Sequence, residues 1–184
     1  MGGDPTAPAS ITKSYSSLPP HFEVRVQAKV YKIDSWVNEK LFVMVDSVTK
    51  FTYTWGSSTG TSDFCGNPNP VIDLVNTNFK DEVFSLDLRV PHTAQTLSLK
   101  MISTLDSLSG SWGIRELTVS LERCHETCLT CNSATSCLSC NNGGGLQASG
   151  PFCGCWPTNK MLQVTPNCMQ QICATCVSNN CIVG

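Results

Sequence analysis

The stretch His21 to Val30, HFEVRVQAKV, alternates: Phe22, Val24, Val26, Ala28 and Val30 fall on one side, and Glu23, Arg25, Gln27 and Lys29 on the other. Successive side chains of an extended chain point to opposite faces, so a period of two with charged alternates marks a half-buried strand. The pattern recurs outward from there, in Leu41 to Val45, in Phe51, Tyr53 and Trp55, and in Phe84, Leu86, Leu88 and Val90. It returns in Leu97, Leu99 and Met101 and in Leu117, Val119 and Leu121. Clusters of Gly, Pro, Asn, Asp and Ser separate these runs, and no window carries an apolar stripe at helical spacing. Thr, Val and Ser crowd out the strong helix formers. The expectation is an all-β fold, an antiparallel β-sandwich of jelly-roll or Greek-key type over residues 15–123, with residues 1–14 as a flexible or extended N-terminal segment.

A second region begins near Arg123. The chain has 184 residues and 12 cysteines, at 65, 124, 128, 131, 137, 140, 153, 155, 168, 173, 176 and 181, so all but Cys65 lie beyond that point. From Cys124 to Gly184 the only charged side chains are Glu126 and Lys160, and large aliphatic residues are few. Such a segment cannot offset the entropy of ordering by core burial, so cross-links must replace a core. A zinc reading of the Cys-x-x-Cys pairs fails on spacing: a zinc ribbon separates its two pairs by roughly 12–20 residues, and here only five residues lie between Cys131 and Cys137. No βαβ pattern or cationic setting supports a thioredoxin-type thiol. All twelve cysteines are therefore expected in disulfides, in an oxidising compartment, extracellular or at the cell surface. Eleven tail cysteines cannot all pair among themselves, so one pairs with Cys65, with another chain, or with a partner beyond Gly184; Cys124 is the expected partner of Cys65. The modules at about 124–155 and 168–184 read as repeats of one theme that continues past Gly184.

Charge and motifs narrow the function. With 12 Lys plus Arg against 14 Asp plus Glu, a net charge of -2, the chain has no field to hold a polyanion, so nucleic acid is not an expected partner. No apolar run approaches the ~20 residues of a membrane span. Residues 1–17 lack the cationic start and apolar core of a secretory signal. No nucleophile elbow, H-E-x-x-H motif or phosphate loop is present, and acidic residues are scattered, so the chain is expected not to be an enzyme. The loop Ile33 to Glu39 combines Asp34, Trp36, Asn38 and Glu39, a candidate calcium or ligand loop because oxygen ligands on one loop suit that ion. The preferred reading is a turn whose Asp and Asn hold backbone groups while Trp36 closes the end of the sandwich, since one loop falls short of the ~6–8 oxygens calcium takes. No other cofactor is expected. Phe51, Tyr53 and Trp55 would serve as a sugar-stacking platform only if exposed; as an alternating row they read first as core. His21 and His92 read as surface or strand-end residues.

Tyr15-Ser-Ser-Leu-Pro-Pro-His21, Tyr31-Lys-Ile-Asp-Ser-Trp36, Asp63-Phe-Cys-Gly66 and Ser111-Trp-Gly-Ile114 together resemble the large ciliate extracellular proteins with furin-like repeats. Cys124, Cys128, Cys131, Cys137, Cys140, Cys153 and Cys155 match the C-x3-C-x2-C-x5-C-x2-C…C-x-C spacing of that family's growth-factor-receptor-type modules. This chain departs from the family at Gly110, where an acidic residue is common, and at Val37, where an aspartate is common; both departures remove a carboxylate from any metal site. The resemblance implies a sandwich leading into furin-like cysteine-rich repeats. The function expected is that of a non-catalytic structural or adhesive protein of a surface coat or filament, with itself or other coat proteins as partners. The alternative is a ligand-binding ectodomain whose galactose-binding-like sandwich recognises carbohydrate. An exposed aromatic in a polar cleft would favour the second, and an unguarded strand edge or apolar patch the first.

Overall fold

The computed structural model describes residues 8–56, 60, 62, 65, 80–106, 110–140, 147–149, 152–154, 176–177 and 180–181, and every regular element among them is a strand. The first sheet contains β1 (Ser10–Tyr15), β3 (Lys40–Val45), β4 (Val48–Thr54) and β6 (Leu97–Ser103), in the order β1-β6-β3-β4, with every neighbour antiparallel. The second contains β2 (His21–Asp34), β5 (Glu82–Pro91) and β7 (Gly110–Arg123), in the order β5-β2-β7. This is the expected all-β sandwich. Val24, Val26, Ala28 and Val30 of β2, Leu41, Val43 and Val45 of β3, and Leu97, Leu99 and Met101 of β6 are all buried, as the period of two requires. Each such side chain contributes about 1.5–3 kcal/mol of transfer free energy.

By packing, the chain divides into two compact units: Met1–Leu18 with Arg25–Val90 and Gln95–Ser120, and Pro19–Val24 with Pro91–Ala94 and Leu121–Gly184. In the first unit, β3 turns into β4 through two residues, Asp46 and Ser47, both left-handed at φ 50° and 66°. Two positive φ angles in a two-residue loop are the type I′ signature, whose twist matches that of the strands it joins. β1 starts at Ser10, ahead of the boundary expected at 15.

The open edges of the first sheet are guarded. In β1, Ala9 accepts from the Ser103 N–H, so Ser10, Thr12 and Ser14 turn their backbone groups outward by alternation. Lys13 stands opposite Leu99 and therefore on the inner face, where a second chain pairing along β1 would have to bury it. In β4 the register slips between Val43 and Met44, leaving Lys50 as the extra residue of a bulge. A bulge and a lysine together blunt the edge. In the second sheet, Arg25 of β2 makes a bidentate pair with Asp87 of the edge strand β5 at 2.8 and 2.5 Å. Edge strand β7 carries the left-handed Glu116, φ 57°, paired with Lys29 at 3.1 Å. At Glu116 the inward parity changes, from the buried Gly110 and Trp112 to the half-buried Val119 and Leu121, and Leu117, expected inside, is exposed.

The second unit holds β8 (Cys128–Ser133) and β9 (Ser136–Cys140), a hairpin in which Cys128 lies opposite Cys140 and Cys131 opposite Cys137. The short pairs β10 (Gln147–Ser149) with β11 (Phe152–Gly154) and β12 (Cys176–Val177) with β13 (Asn180–Cys181) follow. Disulfides join Cys124 to Cys131 and Cys128 to Cys137, and Cys140 is also bridged. Cys128, Cys131 and Cys137 form the core of this unit, with Phe22, Cys124 and Cys140 packed on it. The expected Cys65–Cys124 bridge is thus corrected. Cys131 comes within 5.6 Å of Cys124 (Cα to Cα), and closing a seven-residue loop costs less chain entropy than reaching back to residue 65. Cys65 is a free thiol. The bridges expected of Cys153, Cys155, Cys168, Cys173, Cys176 and Cys181 fall outside the described side chains.

His21 and His92 sit at strand ends but are buried, not on the surface. His21 Nδ1 lies 2.7 Å from the Pro19 carbonyl, which can only accept, so His21 carries its proton there. Its Nε2 then accepts from His92 Nδ1–H at 2.7 Å when the ring is neutral. Two polar rings are buried at the cost of one shared, directional contact.

Candidate functional site

The 33–39 loop is held to its surroundings by bonds from each of its four candidate residues. Asp34 is left-handed at φ 58° and gives its N–H to Asp81 Oδ1 at 3.0 Å. Trp36 is 1% exposed and donates Nε1–H to the Ser111 carbonyl at 3.0 Å. Asn38 gives its N–H to the Trp55 carbonyl at 2.9 Å, and the Glu39 carboxylate accepts the Val37 N–H. The four candidates therefore serve four separate structural bonds, and among the described residues no group of three or more His, Cys, Asp or Glu could hold a metal. Gly110 follows from the same packing: a Cβ there would come 2.3 Å from the Ser35 carbonyl oxygen, so no acidic side chain fits.

Of the aromatic row, Trp55 is buried in the core, while Phe51 and Tyr53 are half-buried. Phe51 and Tyr53 stack on Phe84 at 5.7 and 4.5 Å, and Trp55 meets Trp36 edge-on at 4.6 Å. Beside it lies a charged cluster that motif reading missed. Lys32 is 0% exposed, and its Nζ donates to the Lys80 carbonyl at 2.5 Å. Burial pushes its pKa below 10.5, partly offset by the fields of Glu82, Asp81 and Asp34. Asp81, also buried, accepts from the Asp34 and Cys65 N–H groups. Parity alone would have found Lys32, because it continues the inward series Val26, Ala28, Val30.

The Tyr53 hydroxyl donates to Glu82 Oε1 at 3.1 Å, and burial, then the Glu82 bond and charge, raise its pKa above 10.0. A raised pKa means that the folded state holds the proton more tightly. This stability is fully present below pH 10.0 and is lost as pH rises through the folded value. Alkaline unfolding followed by circular dichroism should show that loss, and Tyr53→Phe should remove it; an unchanged alkaline limb in the variant would show that the phenol plays no part.

The described residues include an open recess. Ser14, Tyr15, Ser16, Asp46, Thr96, Leu97 and Ser98 line a cleft of about 330 Å³. Three separate segments build it: the end of β1, the β3–β4 turn, and the start of β6 with Thr96 before it. Register places Tyr15 opposite Leu97 and Ser14 opposite Ser98. Asp46 is fixed at the rim, its N–H on the Ser98 carbonyl at 2.9 Å and its Oδ1 accepting the Ser98 N–H at 2.8 Å. Tyr15 is half-buried, with Lys13 Nζ 5.9 Å from its ring centroid. No sequence motif marks this cleft, because its residues are ordinary Ser, Thr and Asp that meet only through strand pairing.

No family model and no curated protein matches this sequence. Among solved structures the chain is similar to a sugar-binding protein, the EclA C-terminal domain, with 14% identity and a TM-score of 0.41, covering 60% of this chain and 65% of that one. It is also similar to dimeric latent PorU from Porphyromonas gingivalis, with 8% identity and a TM-score of 0.39, covering 61% of this chain and 10% of the other. A third similarity is to a family 35 carbohydrate-binding module from an environmental isolate, with 14% identity, a TM-score of 0.32 and coverage of 66% and 76%. The chain thus spans less than two thirds of the first of these and a tenth of the second. At such TM-scores these likenesses carry no weight for function.

Proposed function

We propose that this chain is a non-catalytic, extracellular recognition domain, an adhesive component of a cell-surface coat, that holds its ligand in the Tyr15–Asp46–Ser98 cleft. The observation that carries this reading is the cleft itself: an aromatic that core packing leaves half-exposed, set among hydroxyls and one carboxylate. An apolar patch with a few fixed polar groups is what a binding site needs. In the platform suggested by sequence, Trp55 is buried and Phe51 and Tyr53 stack on Phe84. The disulfides support an oxidising address, and on the sequence resemblance the cysteine module is furin-like.

Guarded edges argue against coat assembly by strand pairing. A second reading, assembly through the cysteine module, is favoured by Leu129 and Leu138, which are 49% and 60% exposed on β8 and β9. Adhesion separates the two. The oxidised full chain is tested for retention on immobilised polysaccharides and proteins, beside Tyr15→Ala and a Leu129→Ser, Leu138→Ser double variant. Loss of retention in Tyr15→Ala alone is the expected result. Retention that survives Tyr15→Ala but fails in the leucine variant would replace the first reading with the second.

A further inference from the structure

We infer that the outer face of the first sheet is a docking surface for an acidic polysaccharide, a polyuronate laid across the strands; this surface goes beyond the Tyr15 cleft and does not depend on it. The net charge of -2 conceals a segregation. β1, β3, β4 and β6 carry Lys13, Lys40, Lys50 and Lys100, and no Asp, Glu or Arg. In the second sheet, β2, β5 and β7 carry six Lys plus Arg against six Asp plus Glu. Some of these pair with each other, Arg25 with Asp87 and Lys29 with Glu116. Lys40, Lys50 and Lys100 make no ion pair among the described residues. The acids that flank β3 in sequence, Glu39 and Asp46, already accept the Val37 and Ser98 N–H groups.

Alternation decides what this sheet shows outward. Because Leu41, Val43, Leu99 and Met101 are buried, their neighbours in β3 and β6 point to the other face. Register then aligns rows across all four strands. One row runs Ser10, Ile102, Phe42, Thr52, an apolar middle between two hydroxyls. The next runs Thr12, Lys100, Met44, Thr49, which sets an ammonium beside a thioether. Strands lie about 4.8 Å apart, so each row is about 14 Å long. Phe42, Met44, Lys100 and Ile102 are half-buried, and Thr12 and Thr52 are exposed.

Such a strip complements a polymer that combines C–H faces, hydroxyls and carboxylates. Phe42 and Ile102 gain by covering the C–H face of a sugar ring. Threonine hydroxyls both donate and accept, as sugar hydroxyls do, and a lysine ammonium makes a charge-assisted bond to a carboxylate. Other anionic partners fit less well. An extended peptide adds to a sheet along an edge, and both edges of this sheet are guarded. A lipid surface calls for apolar side chains that reach about 5–10 Å into it, whereas Phe42 and Ile102 lie half-buried in the middle strands. Nucleic acid is held by many phosphate contacts, which a few lysines around an apolar middle do not supply.

The test is an amide-resolved NMR titration of the oxidised full chain with an alginate hexasaccharide, neutral maltohexaose, capped hexaglutamate of the same carboxylate number, and phosphatidylserine vesicles. Alginate is expected to shift Phe42, Met44, Lys100 and Ile102 saturably. Maltohexaose lacks the charge and hexaglutamate lacks the rings, so each should bind at least ~10-fold more weakly. Lys100→Gln should weaken alginate by about 5-fold, the upper end for one exposed ion pair. Phe42→Thr, a residue that suits a strand, should weaken it by a similar factor, which ion exchange on lysines alone would not do. Arg89→Gln on the second sheet and Tyr15→Ala in the cleft should bind alginate as the parent does. The inference is overturned if alginate shifts nothing on this face, if maltohexaose or hexaglutamate binds as tightly, or if the vesicles are preferred. It is also overturned if Phe42→Thr has no effect, or if Arg89→Gln loses as much as Lys100→Gln. Loss of alginate in Tyr15→Ala alone would move the ligand to the cleft, ending this inference while the recognition reading stands. Loss of adhesion in neither Tyr15→Ala nor the leucine variant, with alginate still bound through Lys100 and Phe42, would end the cleft reading and leave this one.

Discussion

Replacing Trp36 by alanine is expected to lower the stability of the sandwich by about 3–5 kcal/mol, the range for deleting a fully buried large aromatic. Trp36 is 1% exposed, meets Trp55 edge-on at 4.6 Å, and donates to the Ser111 carbonyl at 3.0 Å. Alanine would leave a cavity among the buried tryptophans and an orphaned carbonyl at the start of β7. Trp36→Phe restores most of the volume but not the N–H, so its cost should fall to about 1–3 kcal/mol, the penalty for an unpaired buried acceptor. Urea unfolding monitored by amides of β3 and β6 reads both variants. A loss under about 1 kcal/mol for the alanine variant would show that the loop relaxes around the gap and that Trp36 is not a keystone.

Reduction of the disulfides is expected to open the β8–β9 hairpin while β3 and β6 stay folded. Each bridge in a small module contributes about 2–5 kcal/mol. The half-cystines Cys128, Cys131 and Cys137 are also buried together as one apolar cluster. Breaking the bridges therefore removes cross-link and packing together, and the remaining neighbours include little beyond Phe22. Hydrogen exchange distinguishes the outcomes: after reduction, amides from Cys128 to Cys140 should lose protection, and those of Leu41 to Val45 and Leu97 to Ser103 should keep it. Protection that persists in the hairpin would mean that backbone pairing alone sustains it.

Much of the sandwich was legible because burial imposes a period of two, and β2, β3, β5 and β6 obey it residue by residue. β1 was not legible. Its inner positions are Ile11, Lys13 and Tyr15, and a charge in the middle of the series hides the alternation. β7 was legible only in part, because the left-handed Glu116 switches the inward parity from Gly110 and Trp112 to Val119 and Leu121. The cysteine count fixed the existence of a cross-linked module but not its connectivity. Cys124 finds Cys131 because the chain turns at Glu126 and Thr127, where the Cys128 N–H meets the His125 carbonyl at 2.8 Å, a fact of chain path rather than spacing. The candidate site was the least legible of all. Asp34, Trp36, Asn38 and Glu39 lie together in sequence, yet their bonds diverge, whereas Asp46 and Ser98, far apart in sequence, are joined by two hydrogen bonds, and Tyr15 is brought beside them by its register opposite Leu97. Lys32 and the two histidines show the same lesson in the core: a polar residue in an inward register is buried when a partner is waiting for it, and the partner is not visible from sequence.

Lys13 on the inner face of β1 and Lys50 at the bulge of β4 bear on how densely such a domain can be displayed. Molecules tethered side by side on a surface meet their neighbours constantly, and strands with open backbone groups would zip neighbouring copies into continuous sheets. A lysine that such pairing would have to bury makes each encounter unfavourable. Crowded copies would then stay independent, each with its cleft free to engage a target, so that weak individual contacts add up across a carpet of separate heads.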